Sequence, residues 1–295
     1  MAKNAHAKGE SLANNLISRK ANLILNIILL IGCILTILPL WLIVSASLTE
    51  NAALTQFGYK LVPMKFSTLA YTYLFQSGSI IVTAYKNTII ATIVGTVLAT
   101  ITVGLYAYAL SRPDFKFRKF FSFFSFFTML FGGGMVSYYA MMRMVLGLTD
   151  TVWALFLPMS FSAYWVIIMR TFYTSNVPES LIESARIDGS GEWRTLIQIV
   201  TPLAIPGFAT VALFSAIGIW NDFRQCMLLN DSSYFYNLQF MKENASKMGG
   251  VNVSNLPTES FRMAMAVVTV GPIILAYPFF QQYFIKGLTV GAVKG

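Results

Sequence analysis

The stretch that decides the fold runs from Asn176 to Gly207 and reads NVPESLIESARIDGSGEWRTLIQIVTPLAIPG. Its first half has the marks of a short helix with defined ends. Asn176 is placed to act as N-cap, and Glu179 stands three residues on, the spacing of a capping box. Pro178 falls in the first turn, where its missing N–H costs nothing. Gly189 is placed to stop the helix in a left-handed cap. A helix so bounded has about 12 residues and a length of roughly 18 Å. A second short helix, Glu192–Val200, is expected to end at Thr201-Pro202, and Pro206 marks the entry to an apolar run. The first helix is too short to be stable alone in water. It carries Leu181, Ile182 and Ala185 on one side and Glu179, Glu183 and Arg186 on others. Such a helix wants a groove to sit in, and the small Ser184 and Ala185 would let a partner approach its backbone closely.

On either side of this segment the chain is apolar. A membrane-spanning helix needs about 20 mostly apolar residues. Six runs qualify: Leu23–Leu48, Asn87–Leu110, Phe120–Tyr139, Val152–Ile168, Gly207–Trp220 (with an extension toward Leu228 left open) and Met263–Ile285. Composition agrees. Of the 295 residues, 56% are hydrophobic and only 11% charged, against about 25% charged in a soluble domain. Mean hydropathy is +0.63. A chain this apolar cannot hide its hydrophobic surface in one globular core and needs lipid as part of its solvent. The expected fold class is therefore an all-α membrane protein with six transmembrane helices. The polar residues before Asn22 do not read as a cleavable signal peptide, because the first apolar run is too long and no small-residue cleavage site follows it cleanly.

The basic residues set the orientation. With the N-terminus inside, the inner segments hold 13 of the 21 Lys and Arg and the outer segments 8, which favours an N-in, C-in arrangement. The short loop Ser111–Lys119 is the clearest inner segment, with Arg112, Lys116, Arg118 and Lys119 against the single acid Asp114. The segment 176–206 is then cytoplasmic, between spans four and five, and the mixed loop Thr49–Ser77 and the polar loop Asp222–Ser260 are outside. The net charge of +9 follows from this placement at span ends. No basic-aromatic face survives outside the spans, so nucleic acid is not an expected partner. The Asn230, Asn244 and Asn252 triplets match the glycosylation pattern but read as chance in an Asn-rich loop. The organisation expected is an N-terminal arm 1–22, a first span with its outer loop 23–86, a core 87–285 and a tail 286–295.

Absences narrow the function. His6 is the only histidine, and the two cysteines, Cys33 and Cys226, lie in or near apolar runs. No histidine-based catalytic or metal site is expected. No Asp or Glu lies inside any of the six spans, which disfavours a carrier coupled to an ion gradient and an enzyme working at membrane depth. No G-x-x-x-x-G-K-[ST] phosphate loop is present, so any ATP that drives this protein must bind another chain.

The quoted segment also carries a resemblance. Glu183-Ser184-Ala185, Gly189, Ile199 and Pro202 keep the spacing of the EAA loop of permease subunits of type I ABC importers, E-A-A-x3-G-x9-I-x-L-P. Ser184 replaces the second-position alanine and Thr201 the leucine before the proline; both are tolerable by size. Asp188 before Gly189 is similar to the carbohydrate-uptake branch. Trp220-Asn221-Asp222-Phe223 resembles the W-N-x-[FW] element of sugar permeases. Phe131–Gly134 and the ending from Tyr283-Phe284-Ile285-Lys286-Gly287 to Val293-Lys294-Gly295 resemble the oligosaccharide and polysaccharide permeases of Gram-positive bacteria.

The resemblance implies a multi-pass protein of the bacterial plasma membrane, non-catalytic, working by alternating access. Its implied partners are a second homologous permease, an ATPase dimer that binds ATP and magnesium, an extracytoplasmic solute-binding lipoprotein, membrane lipid and a carbohydrate cargo. The EAA helix would insert into a cleft on the ATPase, a helix-in-groove contact. In that role Leu181 and Ile182 would fill the groove, and Glu183 would make charged contacts or brace the loop. Ser184 and Ala185 would give close approach, Gly189 the bend, Asp188 a local cap, and Pro202 the end of the second helix. Trp220, Asn221 and Tyr138 are candidate cargo contacts, although Trp220, Tyr138 and Tyr139 also read as ordinary membrane-edge anchors. Gly132–Gly134 reads as a helix break or packing point, and Met141, Met142 and Met144 as lipid or helix contacts.

Overall fold

In the computed structural model the chain is helical. The structure describes residues 19–75, 80–243 and 258–292. Their principal helices are α1 (Arg19–Ser47), α2 (Ile80–Ser111), α3 (Arg118–Leu130), α4 (Ala163–Asn176), α5 (Glu179–Ile187), α6 (Ile205–Asn221) and α7 (Thr258–Ala292), joined by shorter turns. Among the described residues the one extended pairing is an antiparallel bridge between Thr49 and Phe66. The N-terminal arm before residue 19, the Asn244 and Asn252 triplets and the last residues 293–295 lie outside the described residues. Backbone contacts divide the chain into two compact units, Met1–Tyr71 with Pro257–Val267, and Thr72–Leu256 with Val268–Gly295.

In the first unit, α1 leaves its apolar side chains from Leu23 to Trp41 exposed. A helix apolar all round and uncovered by protein is a lipid-solvated span. Its end is tied to the chain that follows it: Trp41 Nε1 donates to the Leu61 carbonyl at 2.8 Å and Ser45 Oγ to that of Lys60 at 2.7 Å. The expected mixed loop after α1 contains a helix of its own, Asn51–Phe57. Asn51 Oδ1 accepts the free Glu259 N–H at the start of α7 at 3.0 Å, the work of an N-cap done from another helix.

In the second unit, α2 is the central helix, packed against α6 and α4. Small residues make this possible. Ala84, Thr88, Ala91, Gly95 and Ala99 recur along one buried face of α2, and close backbone approach is how helices associate where lipid is as apolar as the side chains. A Cβ built on Gly104 would lie 2.6 Å from Phe208 Cε1. The core beyond it gathers Val103, Ala107, Val166, Met169, Tyr173, Val200 and Val211.

Among the described residues two helices, Lys20–Ser47 and Ile80–Ser111, are long and apolar enough to cross a membrane unbroken, and up to five if each bent pair is one span. The third and fourth predicted spans are broken, and the fifth, continuous within α6, is preceded by a bend. Arg118–Leu130 and Gly134–Val145 meet at 113°, Val152–Met159 and Ala163–Asn176 at 49°, and Glu192–Leu203 and Ile205–Asn221 at 81°. The first break falls on the glycine triplet, with Phe131 extended and Gly134 at φ +81, a conformation that glycine adopts without the Cβ penalty. The triplet is a helix break, and among the described residues nothing lies within 4 Å of a Cβ at Gly132 or Gly134. The sixth predicted run, Met263–Ile285, lies within α7.

Three local expectations are corrected. Asn176 does not cap α5. It ends α4, its Nδ2 donating to the Phe172 carbonyl at 3.0 Å, while Val177 and Pro178 are extended. The residue before a proline is pushed out of the helical region, so Pro178 moves the helix start to Glu179. The second short helix does not end at Thr201-Pro202. It widens into a π turn over Leu196–Val200 and runs on to Leu203. Pro202 has no N–H for the regular ladder, and the Thr201 N–H instead reaches back to Leu196 O. Finally, α6 stops at Asn221 and does not extend to Leu228; a new turn, Arg224–Leu229, begins after Asp222 Oδ2 accepts the Gln225 N–H at 2.9 Å.

The polar segment after α6 is pinned by buried amides. Asn87 Nδ2 donates to the carbonyls of Tyr234 and Tyr236, and Asn237 Nδ2 to that of Asp222. Asn230 is buried with its Nδ2 on the Phe235 carbonyl at 3.0 Å. Its amide is occupied in holding the turn, in line with reading that triplet as chance.

Candidate functional site

The chain turns sharply between α5 and the helix that begins at Glu192. Gly189 makes the turn, with φ +77, where a side chain would be strained. The Gly189 N–H reaches Arg186 O at 3.0 Å and the Ser190 N–H reaches Ala185 O at 2.9 Å, so the last carbonyls of α5 are satisfied and the next helix can leave at once.

An ionic brace holds this turn to the end of α2. Arg186 forms ion pairs with both Asp114 and Glu192, the latter at 2.8 Å. Tyr108 OH donates to the second Glu192 oxygen at 2.6 Å. Arg112 stands 3.7 Å from Asp114 and 3.9 Å from Glu192. Five side chains thus join α5, the helix after it, the end of α2 and the loop that follows. The Arg186 bond, then the Tyr108 bond, hold the Glu192 carboxyl below the usual carboxylate range, and the Glu192 and Asp114 bonds push the Arg186 guanidinium up. The carboxylates are half exposed, so water screens each pair, and the brace acts through geometry more than through strength.

The faces of α5 sort the predicted residues. Leu181, Glu183, Ser184, Asp188 and Gly189 are exposed, as are Ile187 at 87% and Trp193 at 67%. Ile182 and Ala185 are buried, only 6% and 7% exposed, and Ile182 packs into the same core as Tyr108, Val177 and Val200. Ile182 therefore fills a groove of this chain and not one of a partner, which corrects the expected pairing of Leu181 with Ile182. Ile187 and Trp193 were missed by sequence reasoning, although exposed apolar side chains beside a left-handed glycine are the signal that could have found them. Ser184 Oγ returns to Ser180 O at 2.9 Å, leaving no bulk on the exposed side. Pro202 lies in the turn before the 81° bend.

The three residues proposed for cargo contact are not brought together. Trp220 is only 8% exposed, its Nε1 donating to the Thr269 carbonyl at 3.1 Å, so it is not a membrane-edge anchor. It lines an apolar cavity of about 460 Å³ with Leu213, Ile217 and Pro272. Thr92 and Thr96 line the same cavity, and their buried hydroxyls find no hydrogen-bond partner among the described residues. Thr88 and Thr100, on the same helix, bond back to its carbonyls in the usual way. The four-residue spacing of Thr92 and Thr96 was legible in the sequence; their lack of a backbone partner was not. Asn221 is exposed and linked to Gln239 Nε2 at 3.0 Å. Tyr138 bonds Gln225 and packs with Met142 and Leu228, away from that cavity. Among the described residues no three His, Cys, Asp or Glu side chains come together to hold a metal ion.

Residues 11–290 match the family described as binding-protein-dependent transport system inner membrane component. Relatives include the polygalacturonan/rhamnogalacturonan transport system permease protein YtcP of Bacillus subtilis, 34% identical with 90% of this chain and 96% of the relative aligned. The arabinooligosaccharides transport system permease protein AraQ of Halalkalibacterium halodurans is 29% identical over 94% of this chain and 99% of the relative. Among solved structures, a chain from a bacterial ABC transporter involved in the import of the acidic polysaccharide alginate is similar with a TM-score of 0.81 and 31% identity, covering 91% of this chain and 99% of that one.

Proposed function

We propose, from the premise that this chain belongs to the family of binding-protein-dependent transport system inner membrane components, that its cargo is an oligosaccharide or a polysaccharide fragment. The chain is a permease subunit of an ABC importer and a multi-pass component of the plasma membrane. The observation that carries the cargo reading is the alignment, over nine-tenths of the chain, with permeases whose named cargoes are polymeric or oligomeric sugars and with an importer of an acidic polysaccharide.

Within that reading, α5 is the coupling helix. It would sit on the cytoplasmic side of six spans with both termini inside, in a core that begins near residue 87. Its exposed Leu181, Glu183, Ser184, Ile187, Asp188 and Gly189 would meet a cleft of the ATPase, while Ile182 and Ala185 fasten it to this chain. The brace through Arg186, Glu192, Asp114, Arg112 and Tyr108 would then pass a push on α5 directly to α2. ATP and magnesium belong to the ATPase dimer, and this chain does no chemistry. A second permease would complete the pathway, and an extracytoplasmic lipoprotein would deliver the sugar. Trp220, with the Thr92 and Thr96 hydroxyls, supplies the aromatic and polar groups a sugar ring would need; Asn221 and Tyr138 are further candidates nearer the outer ends of their helices.

The test is co-purification. The chain is expressed with its neighbouring permease and a sugar-importer ATPase, as wild type and as Glu183→Lys. The variant is expected to lose the ATPase and keep the permease. A chain that purifies alone, or a variant that retains its ATPase unchanged, would remove α5 from the coupling role.

A further inference from the structure

The start of α3 carries a basic cavity that the transport reading does not use. It has a volume of about 720 Å³ and is lined by Lys116, Arg118, Lys119, Ser122 and Arg170, with Pro113 and Phe115. The cations come from three places: the loop after α2, the first turn of α3 and the middle of α4. Arg170 reaches across to α3, its Nη1 donating to Ser122 Oγ at 3.3 Å. None of these four cations has a carboxylate within ion-pair distance among the described residues. Asp114, the nearest acid in sequence, is taken up by Arg186 and Arg112. Cations scattered at span ends are ordinary membrane orientation signals. Four that converge on one cavity repel one another, and an anion bound among them relieves that repulsion.

The surroundings identify the anion. Beyond the cavity the surface of α3 and its approach is apolar and open: Phe117, Phe120, Phe123 and Phe124 are each more than half exposed, and Phe120 and Phe124 stack at 6.4 Å with their planes 13° apart. The 13-residue α3 adds the positive end of its dipole at the cavity. A ligand that matches both parts has a phosphate at one end and hydrocarbon at the other. We propose that this cavity is a specific site for the phosphate headgroup of an anionic phospholipid, whose acyl chains lie along the phenylalanines of α3. Basic pockets between membrane helices recognise such headgroups. A free phosphate would use the cations and have no use for the aromatic wall.

Native mass spectrometry of the complete importer tests this, with phosphatidylglycerol, phosphatidylcholine and inorganic phosphate titrated separately. Wild type is expected to retain phosphatidylglycerol in preference to phosphatidylcholine. Lys116→Gln with Lys119→Gln removes two exposed cations and should weaken retention by about 25-fold, at about fivefold for each charge. Lys60→Gln with Lys86→Gln, neither of which lines the cavity, should leave it unchanged. Arg170→Gln, compared at matched melting temperature, keeps the test open should the lysine pair alter assembly. Equal retention of both lipids, or unchanged phosphatidylglycerol retention in both cavity variants, overturns the proposal. Competition by inorganic phosphate as effective as that of the lipid also overturns it and leaves a plain anion site.

Discussion

The division of labour across α5 can be tested by truncating one residue on each face. Ile182 is buried in the chain's own core and Leu181 is 41% exposed. Ile182→Ala removes three carbons, worth about 2.4 kcal/mol at ~0.8 kcal/mol each, and leaves a cavity. Core truncations of this type cost about 2–5 kcal/mol. Because α5 lies at the rim of the core, its neighbours can partly close the gap, so about 2–3 kcal/mol is expected. That corresponds to a roughly 30- to 150-fold rise in the undocking equilibrium of α5. Hydrogen exchange reads it directly. The Asp188 N–H bonds Ser184 O and the Ser190 N–H bonds Ala185 O, and both bonds open when α5 leaves the bundle. Measured on the permease pair without its ATPase, protection in residues 182–190 should fall by that factor in Ile182→Ala. Leu181→Ala should change it by less than about threefold, as a surface substitution does, and should instead weaken ATPase capture. The reverse pattern, or equal losses from both variants, would refute the assignment of faces and with it the view that α5 is fastened through Ile182.

Two further predictions concern the brace and the helix packing. The Glu192 carboxyl is held below its ordinary value by Arg186 first and Tyr108 second; Arg112 also faces it, and Asp114 competes for the same arginines. A depressed folded pKa gives stability that is present above the unfolded value and lost as pH falls through the folded one. Protection of residues 184–190 should therefore hold from neutral pH to about 5 and decline below about 4.5, and Glu192→Gln should show reduced protection that changes less over that window; a wild-type profile flat to pH 3.5 would contradict the brace. Gly104→Val should separate α2 from α6, because even a Cβ there meets Phe208 at 2.6 Å. Overpacking of this kind costs about 1–3 kcal/mol and should lower the melting temperature of the purified importer, whereas Gly132→Ala, with open space around it, should not.

The comparison of Leu181 with Ile182 also marks how far local reading reaches. The two residues are adjacent and equally apolar, and nothing in their sequence says which turns inward. That choice is made by Val177, Val200 and Tyr108, the last more than 70 positions away along the chain. Trp220 is similar: its aromatic character suggested a membrane edge, and the Thr269 carbonyl in another helix makes it a buried donor. The ion pairs of Arg186 with Asp114 and Glu192 lie on three segments whose approach no spacing rule encodes.

By itself the sequence determined the class, the helical backbone and the places where it must turn. Long apolar runs leave helices as the backbone's way of satisfying its polar groups in lipid. Gly189 and Gly134 open conformations that side chains resist. These effects act within a turn or two of the residue that causes them. Only the tertiary structure decided which face of α5 is spent on this chain and which is left for another. It also placed Thr92 and Thr96 in one cavity and drew Arg170 to the start of α3. Those outcomes depend on packing between segments far apart in the chain, where close approach of backbones selects one arrangement from many that are locally equivalent.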